Sequence, residues 1–177
     1  MTYIQHYDSP LGGILLAADE IGLTGLWFEG QKYFARDLSD VRIEQETPVL
    51  AEAKRWLDIY FTGKEPDFLP PLHPTGSEFR KAVWEILLQI PYGQTTTYGE
   101  IARQLAKKQG LARMSAQAVG GAVGHNEISI IIPCHRVVGS DSSLTGYAGG
   151  LEKKRYLLSL EGIDVTTLST PTRGTAL

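Results

Sequence analysis

The residues best equipped for chemistry sit together as Pro133-Cys134-His135-Arg136, followed by Val137-Val138-Gly139. Cys134 is the only cysteine of 177 residues, which excludes an internal disulfide and any multi-cysteine zinc site. A thiol attacks as thiolate, and a nearby base or positive charge raises the thiolate population, so Cys-His-Arg is a plausible nucleophile site. Adjacency in sequence is not contact, because neighbouring side chains on a strand point to opposite faces. Taken alone, a single cysteine is more often core filler. The four histidines, His6, His73, His125 and His135, are scattered without ligand spacing, so no metal site is expected.

The elements that must position these groups change character along the chain. Tyr3 to Tyr7, Ile14 to Ala18 and Leu23 to Phe28 are short apolar runs separated by turn chemistry, which predicts a meander. From Pro48, Leu50, Ala53, Trp56-Leu57 and Tyr60 recur at helical spacing. Prolines at 66, 70, 71 and 74 then place a boundary near 64–76. Beyond it, Phe79, Ala82-Val83, Ile86-Leu87 and Ile90 form a helical stripe stopped by Pro91-Tyr92-Gly93. Thr97 with Glu100 has capping-box spacing, Gly110 can end that helix, and a third helix starts at Ser115. These two helices form either a helix-turn-helix or a generic helical hairpin. Gly120-Gly121 inside the third helix calls for close approach of a ligand or of another backbone, or for tight helix packing. Ile128 to Ile132 reads as a buried strand leading to Cys134, and Leu151 to Leu160 as a helix stopped at Glu161-Gly162.

Composition narrows the class. With 42% hydrophobic residues, 21% charged and a formal net charge of −3, the chain is ordinary for a globular protein and unlike a disordered one. No apolar run is long enough to span a bilayer, and Met1 to Pro10 is not a signal peptide, which points to a soluble intracellular protein. Residues 1–75 hold 6 Lys and Arg against 12 Asp and Glu, a net of −6, whereas residues 76–177 hold 11 against 8, a net of +3. The second part could therefore meet a polyanion, on a weak charge signal alone.

One family pattern runs through these motifs. Trp84, Pro91-Tyr92-Gly93, Thr97-Tyr98-Gly99-Glu100-Ile101-Ala102, Ala118-Val119-Gly120-Gly121, Asn126, Pro133 to Gly139, Gly146-Tyr147-Ala148-Gly149-Gly150 and Leu157-Leu158 before Glu161-Gly162 occur in family order. The chain resembles the O6-alkylguanine-DNA alkyltransferases (methylated-DNA–protein-cysteine methyltransferases) over roughly 77–163. The resemblance implies an α+β protein of two domains: a ribonuclease-H-like α/β domain over 1–75, and a helical helix-turn-helix domain over 76–165 that binds DNA and accepts the alkyl group. A loose tail, 166–177, is expected after them. It further implies stoichiometric, irreversible transfer from O6-alkylguanine (and O4-alkylthymine) in double-stranded DNA, with the base flipped out through the minor groove. The expected protein is a cytoplasmic monomer with no cofactor, nucleoid-associated if bacterial and nuclear if eukaryotic.

By the same resemblance, Cys134 is the acceptor, His135 its base through a water, and Glu161 the group that orients the imidazole. Asn126 is the hinge tying the recognition helix to the cysteine turn, and Tyr98 contacts the guanine ring. Val137, Tyr147, Ala148 and Gly149 would line the base pocket. Thr97, Ser115, Ala116, Gln117, Ala118, Gly121 and Ser140 would meet DNA, while Arg136 reads as an internal ion-pair partner. Two positions depart from the pattern. Gln117 stands where the family inserts an arginine into the base stack, losing the charged planar guanidinium. Glu127 replaces the usual proline after Asn126, which predicts a looser hinge and negative charge near the DNA. The competing readings are a non-enzymatic alkyl-base binder of the same fold, which would lack the cysteine, and a cysteine hydrolase, for which no oxyanion loop is evident.

Overall fold

The computed structural model describes residues 1–171. Two units emerge: Met1–Thr75 together with Glu127–Ile131, and Gly76–Asn126 together with the chain from Ile132 onward. The five-residue excursion departs from the expected division, which left 76–165 unbroken. Its cause lies in hydrogen bonding within the first unit, described next.

In the first unit β1 (Thr2–Ser9), β2 (Gly12–Ala18) and β3 (Leu23–Phe28) form the antiparallel meander that the turn residues predict. A short strand that periodicity did not reveal, β4 (Arg42–Glu44), pairs parallel with β1 and completes the order β3-β2-β1-β4. Three residues give no readable alternation, so only the partner strand defines it. Helix α1 (Pro48–Tyr60) starts with Pro48 in its first turn and Thr47 as cap, whose hydroxyl accepts from Leu50 N. It buries Leu50, Ala53, Trp56, Leu57 and Tyr60, the stripe read from spacing.

The outer edge of β3 carries backbone groups that need partners. Leu23 N donates to Pro71 O at 2.8 Å, and His73 N donates to Leu23 O at 2.7 Å. Further along, Leu26 N donates to Glu127 O at 2.8 Å and Ser129 N to Leu26 O at 3.0 Å. That second pair draws 127–131 into this unit. The run Ile128 to Ile132 is therefore not the strand that its composition predicts. It makes one bridge at Ile128 and then turns, with Ile130 at φ +68°, outside strand geometry. Its isoleucines are apolar because they are buried, not because they pair in a sheet.

The second unit is mainly helical: α2 (Glu78–Leu88), α3 (Tyr98–Lys108), α4 (Ala116–Gly124) and α5 (Leu151–Leu160). Thr97 caps α3 through Glu100 N at 3.1 Å, and Ser115 caps α4 through Ala118 N at 3.1 Å. Between them Gly110 takes φ +67°, so α3 and α4 form the helix-turn-helix, packed on α2 with Trp84 Nε1 donating to Ala122 O. Two two-residue strands, β5 (Thr96–Thr97) and β6 (Val137–Val138), run parallel and tie the start of α3 to the residues just after Cys134. Part of the expected tail is held in place. Val165–Thr167 form a 3₁₀ turn capped by Asp164, and Ser169 pairs with Ser143. The rest of that tail, from 172, lies outside the described residues.

Candidate active site

Cys134 opens a 3₁₀ turn, Cys134–Arg136, whose three residues are all buried. A turn rather than a strand lets successive side chains diverge within one interior, which adjacency alone could not establish. His135 is fully buried, and its Nε2 lies 2.6 Å from Glu161 Oε2 at the end of α5. Arg136 Nε donates to Glu161 Oε1 at 2.8 Å, its Nη1 donates to Ile90 O at 2.7 Å, and its guanidinium lies 5.7 Å from the Tyr92 ring centre. Gly93 N also donates to Glu161 Oε1, at 3.0 Å. Arg136 is thus the internal ion-pair partner that the sequence led us to expect, and Glu161 joins the 90–93 segment to the cysteine turn.

Burial opposes ionisation of Glu161, but the hydrogen bonds from His135 and Arg136 and the Arg136 charge outweigh it and hold the carboxyl at about 2. Burial lowers the His135 pKa against the pull of Glu161, so the imidazole rests neutral. An ionised carboxylate can only accept, hence the ring proton sits on Nε2 and the basic lone pair on Nδ1.

The sulfur itself rests protonated. Burial pushes the Cys134 thiol up, more than the Asn126 hydrogen bond, the Lys154 charge and its own backbone N–H pull it down. Asn126 also donates from Nδ2 to Ile132 O at 2.8 Å, bracketing the 127–131 excursion and fixing the end of α4 against the cysteine turn. Cys134 retains 7% of its accessible surface and opens onto a slot of about 10 Å³ lined by Val123, Gly124, Asn126, Gly146, Tyr147 and Ala148. Of the expected pocket residues, Tyr147 and Ala148 line this slot; Val137 and Gly149 do not. Val137 is instead fully buried, with its carbonyl accepting from Lys154.

Lys154, which sequence reasoning did not place in the site, and Thr145, which it placed only near it, are joined to the site by hydrogen bonds. Lys154 is fully buried, and its Nζ donates to the carbonyls of Val137, Leu144 and Gly146 and to Thr145 Oγ1. Burial brings its pKa down to about 8, against the pull that Cys134 exerts when ionised. A signal existed, since Lys154 falls on the apolar stripe of α5 with Leu157 and Leu158. Thr145 Oγ1 also lies 2.8 Å from Tyr98 Oη. Burial raises the Tyr98 phenol to about 12, the Thr145 bond lowering it and the Cys134 charge adding to the rise.

The residues expected to meet DNA lie on the start and outer face of α4. Ser115, Ala116, Gln117, Ala118 and Gly121 are exposed, as is Ser140 in the turn after β6. Thr97 is half-buried, and its hydroxyl, like that of Ser115, is engaged as a helix cap. Protein packing does not require the helix glycines: a Cβ at Gly121 would meet no atom within 4 Å, and one at Gly120 would lie 3.7 Å from the Tyr98 ring, an ordinary contact. Tight helix packing is therefore ruled out as their reason. Glu127 also departs from expectation. It is 9% exposed and accepts from Trp27 Nε1 at 2.7 Å, so its charge is spent inside the first unit on an indole that needs an acceptor.

The second unit thus carries a buried thiol, followed in sequence by a carboxylate-anchored imidazole, on a helix-turn-helix scaffold. Comparison with known proteins agrees. The family described as 6-O-methylguanine DNA methyltransferase, DNA binding domain, matches residues 78–163, and its ribonuclease-like domain matches residues 2–74. A methylated-DNA–protein-cysteine methyltransferase of Methanosarcina acetivorans is 45% identical over 161 residues, covering 90% of this chain and 98% of its own. One from Haemophilus influenzae is 41% identical over 162 residues, covering 91% and 87%. Among solved structures, the Mycobacterium tuberculosis OGT in complex with DNA superposes with a TM-score of 0.77 at 38% identity, covering 94% of each chain. The chain belongs to the 6-O-methylguanine DNA methyltransferase family, whose members repair DNA by alkyl transfer to a protein cysteine. No helix among the described residues is long and apolar enough to cross a membrane.

Proposed function

We propose that this protein removes the alkyl group from O6-alkylguanine (and O4-alkylthymine) in double-stranded DNA by transferring it, once and irreversibly, to Cys134. The single observation that carries the reading is the Cys134–His135–Glu161 arrangement, in which an ionised Glu161 fixes the proton of a buried neutral imidazole. His135 takes the thiol proton through a water, and the thiolate displaces guanine from the alkyl carbon in line. Tyr98 contacts the departing ring and supplies it with a proton. Asn126 holds the sulfur in register with α4.

DNA binds through the unit of residues 76–126 and 132–165, with 1–75 as a structural support. Ser115, Ala116, Gln117, Ala118 and Gly121 enter the minor groove, with Thr97 and Ser140 at its rim. The glycines that no protein neighbour requires support this close approach. The slot of about 10 Å³ does not hold a purine, so base entry moves the Gly146–Ala148 wall outward. Val137 and Gly149 join the pocket only then. The protein acts as a cytoplasmic monomer without a cofactor. Intact mass after incubation with an O6-methylguanine oligonucleotide tests the assignment. One methyl group at Cys134 and a single turnover support it, whereas absence of an adduct or repeated turnover rejects it.

A further inference from the structure

One polar cluster, the fully buried Lys154 with the half-buried Thr145 and Tyr98, has a geometry that the transfer step alone does not account for. Thr145 Oγ1 lies 2.8 Å from Tyr98 Oη and 3.2 Å from Lys154 Nζ, and it also donates to Leu144 O. Thr145 holds φ +60°, a left-handed conformation that β-branched residues rarely adopt, so the surrounding bonds must stabilise it. The titratable groups around Lys154 are Cys134, His135 and, through Thr145, Tyr98.

Charge conservation poses the problem. During attack, the Lys154 ammonium faces a thiolate. After transfer the sulfur is a neutral thioether, so the thiolate attraction that held the Lys154 proton during attack is gone and the ammonium again faces a neutral group, as it does beside the resting thiol. The guanine meanwhile leaves with an extra electron pair and needs a proton. The three atoms Nζ, Oγ1 and Oη form a continuous hydrogen-bonded chain from one requirement to the other.

We infer that Thr145 is a positioning residue that conducts a proton from Lys154 to Tyr98 as guanine departs, an inference that rests on the alkyl-transfer reading. The carbon–O6 bond breaks with its electrons on guanine while the carbon–sulfur bond forms at Cys134. Tyr98 Oη–H passes to a ring nitrogen, Thr145 Oγ1–H to Tyr98, and Lys154 Nζ–H to Thr145. Lys154 ends as a neutral amine beside a neutral thioether. Two hydroxyl rotations prepare the chain: Tyr98 Oη–H turns from Thr145 toward the ring nitrogen, and Thr145 Oγ1–H turns from Leu144 O toward Tyr98. Burial has already lowered Lys154 to about 8, which makes it a readier donor than an exposed lysine.

Thr145→Val keeps the branched shape and deletes the hydroxyl; Thr145→Ser restores it. With free O6-benzylguanine, followed by intact mass, Thr145→Val should slow benzyl transfer about tenfold or more, and Thr145→Ser should stay within about threefold of the unsubstituted protein. Iodoacetamide supplies the control, because its halide leaves without a proton and its reaction at Cys134 should change by less than about twofold in Thr145→Val. Benzyl transfer at the original rate in Thr145→Val, or an equal fall in both reactions, overturns the relay. If the unsubstituted protein reacts with iodoacetamide but takes no benzyl group, the alkyl-transfer reading has failed and the relay fails with it.

Discussion

Replacing Glu161 by Gln tests how the carboxylate controls the imidazole. Glu161 Oε1 accepts from both Gly93 N and Arg136 Nε, so a glutamine must keep its carbonyl oxygen there. Its NH₂ then faces His135 Nε2 in place of Oε2, 2.6 Å away in the unsubstituted protein. That donor forces Nε2 to accept, moves the ring proton to Nδ1 and removes the base. The expected loss in transfer rate is about 10²- to 10⁴-fold. Stability falls as well. Holding the carboxyl at about 2 rather than 4.5 corresponds to about 3 kcal/mol, and Arg136 is left facing a neutral amide. The Glu161 contribution is complete above pH 4.5 and disappears as pH falls toward 2, so the variant should lose that acid-labile increment. Denaturant titration at neutral pH and at low pH measures the stability, and time-resolved intact mass with O6-benzylguanine measures the rate. A folded Glu161→Gln protein that reacts within about threefold of the original rate would refute the tautomer argument.

Further outcomes follow from the same geometry. Gln117→Arg should repair O6-methylguanine in duplex DNA faster while reacting unchanged with free O6-benzylguanine, because it restores a charged plane only where DNA is met; equal duplex rates reject this. Stability should begin to fall below pH 6.5, as His135, whose pKa folding depresses, must take up a proton in its buried site. An acid titration of unfolding that stays flat from pH 7 to 5 would contradict the neutral imidazole. Trp27→Phe should cost about 1–3 kcal/mol by removing the donor to the buried Glu127 carboxylate, and a Trp27→Phe, Glu127→Gln pair should recover part of that loss in the same denaturation assay.

The elements best legible in the sequence are those built from local rules. Helix α1 follows from Pro48 and an apolar stripe, α3 and α4 from Thr97 and Ser115 as caps, and the α3–α4 turn from Gly110. The proposed trio of Cys134, His135 and Glu161 came from motif order, since residue type alone made Cys134 more often structural than reactive. What the tertiary structure decided depends on partners remote in sequence. The five residues after Asn126 join the first unit because the edge of β3, about 100 positions away, offers them hydrogen bonds, and the left-handed turn at Ile130 ends that pairing after one bridge. Glu127 turns inward to an indole whose need no local pattern records. Lys154 shares the stripe of Leu157 and Leu158, but what its ammonium donates to is set only when α5 packs against the carbonyls of 137–146, and the Cys134 thiol is pushed above its ordinary pKa because folding strips water from the sulfur. Local propensity and capping are written in neighbouring residues. Desolvation and long-range pairing arise when the chain closes on itself.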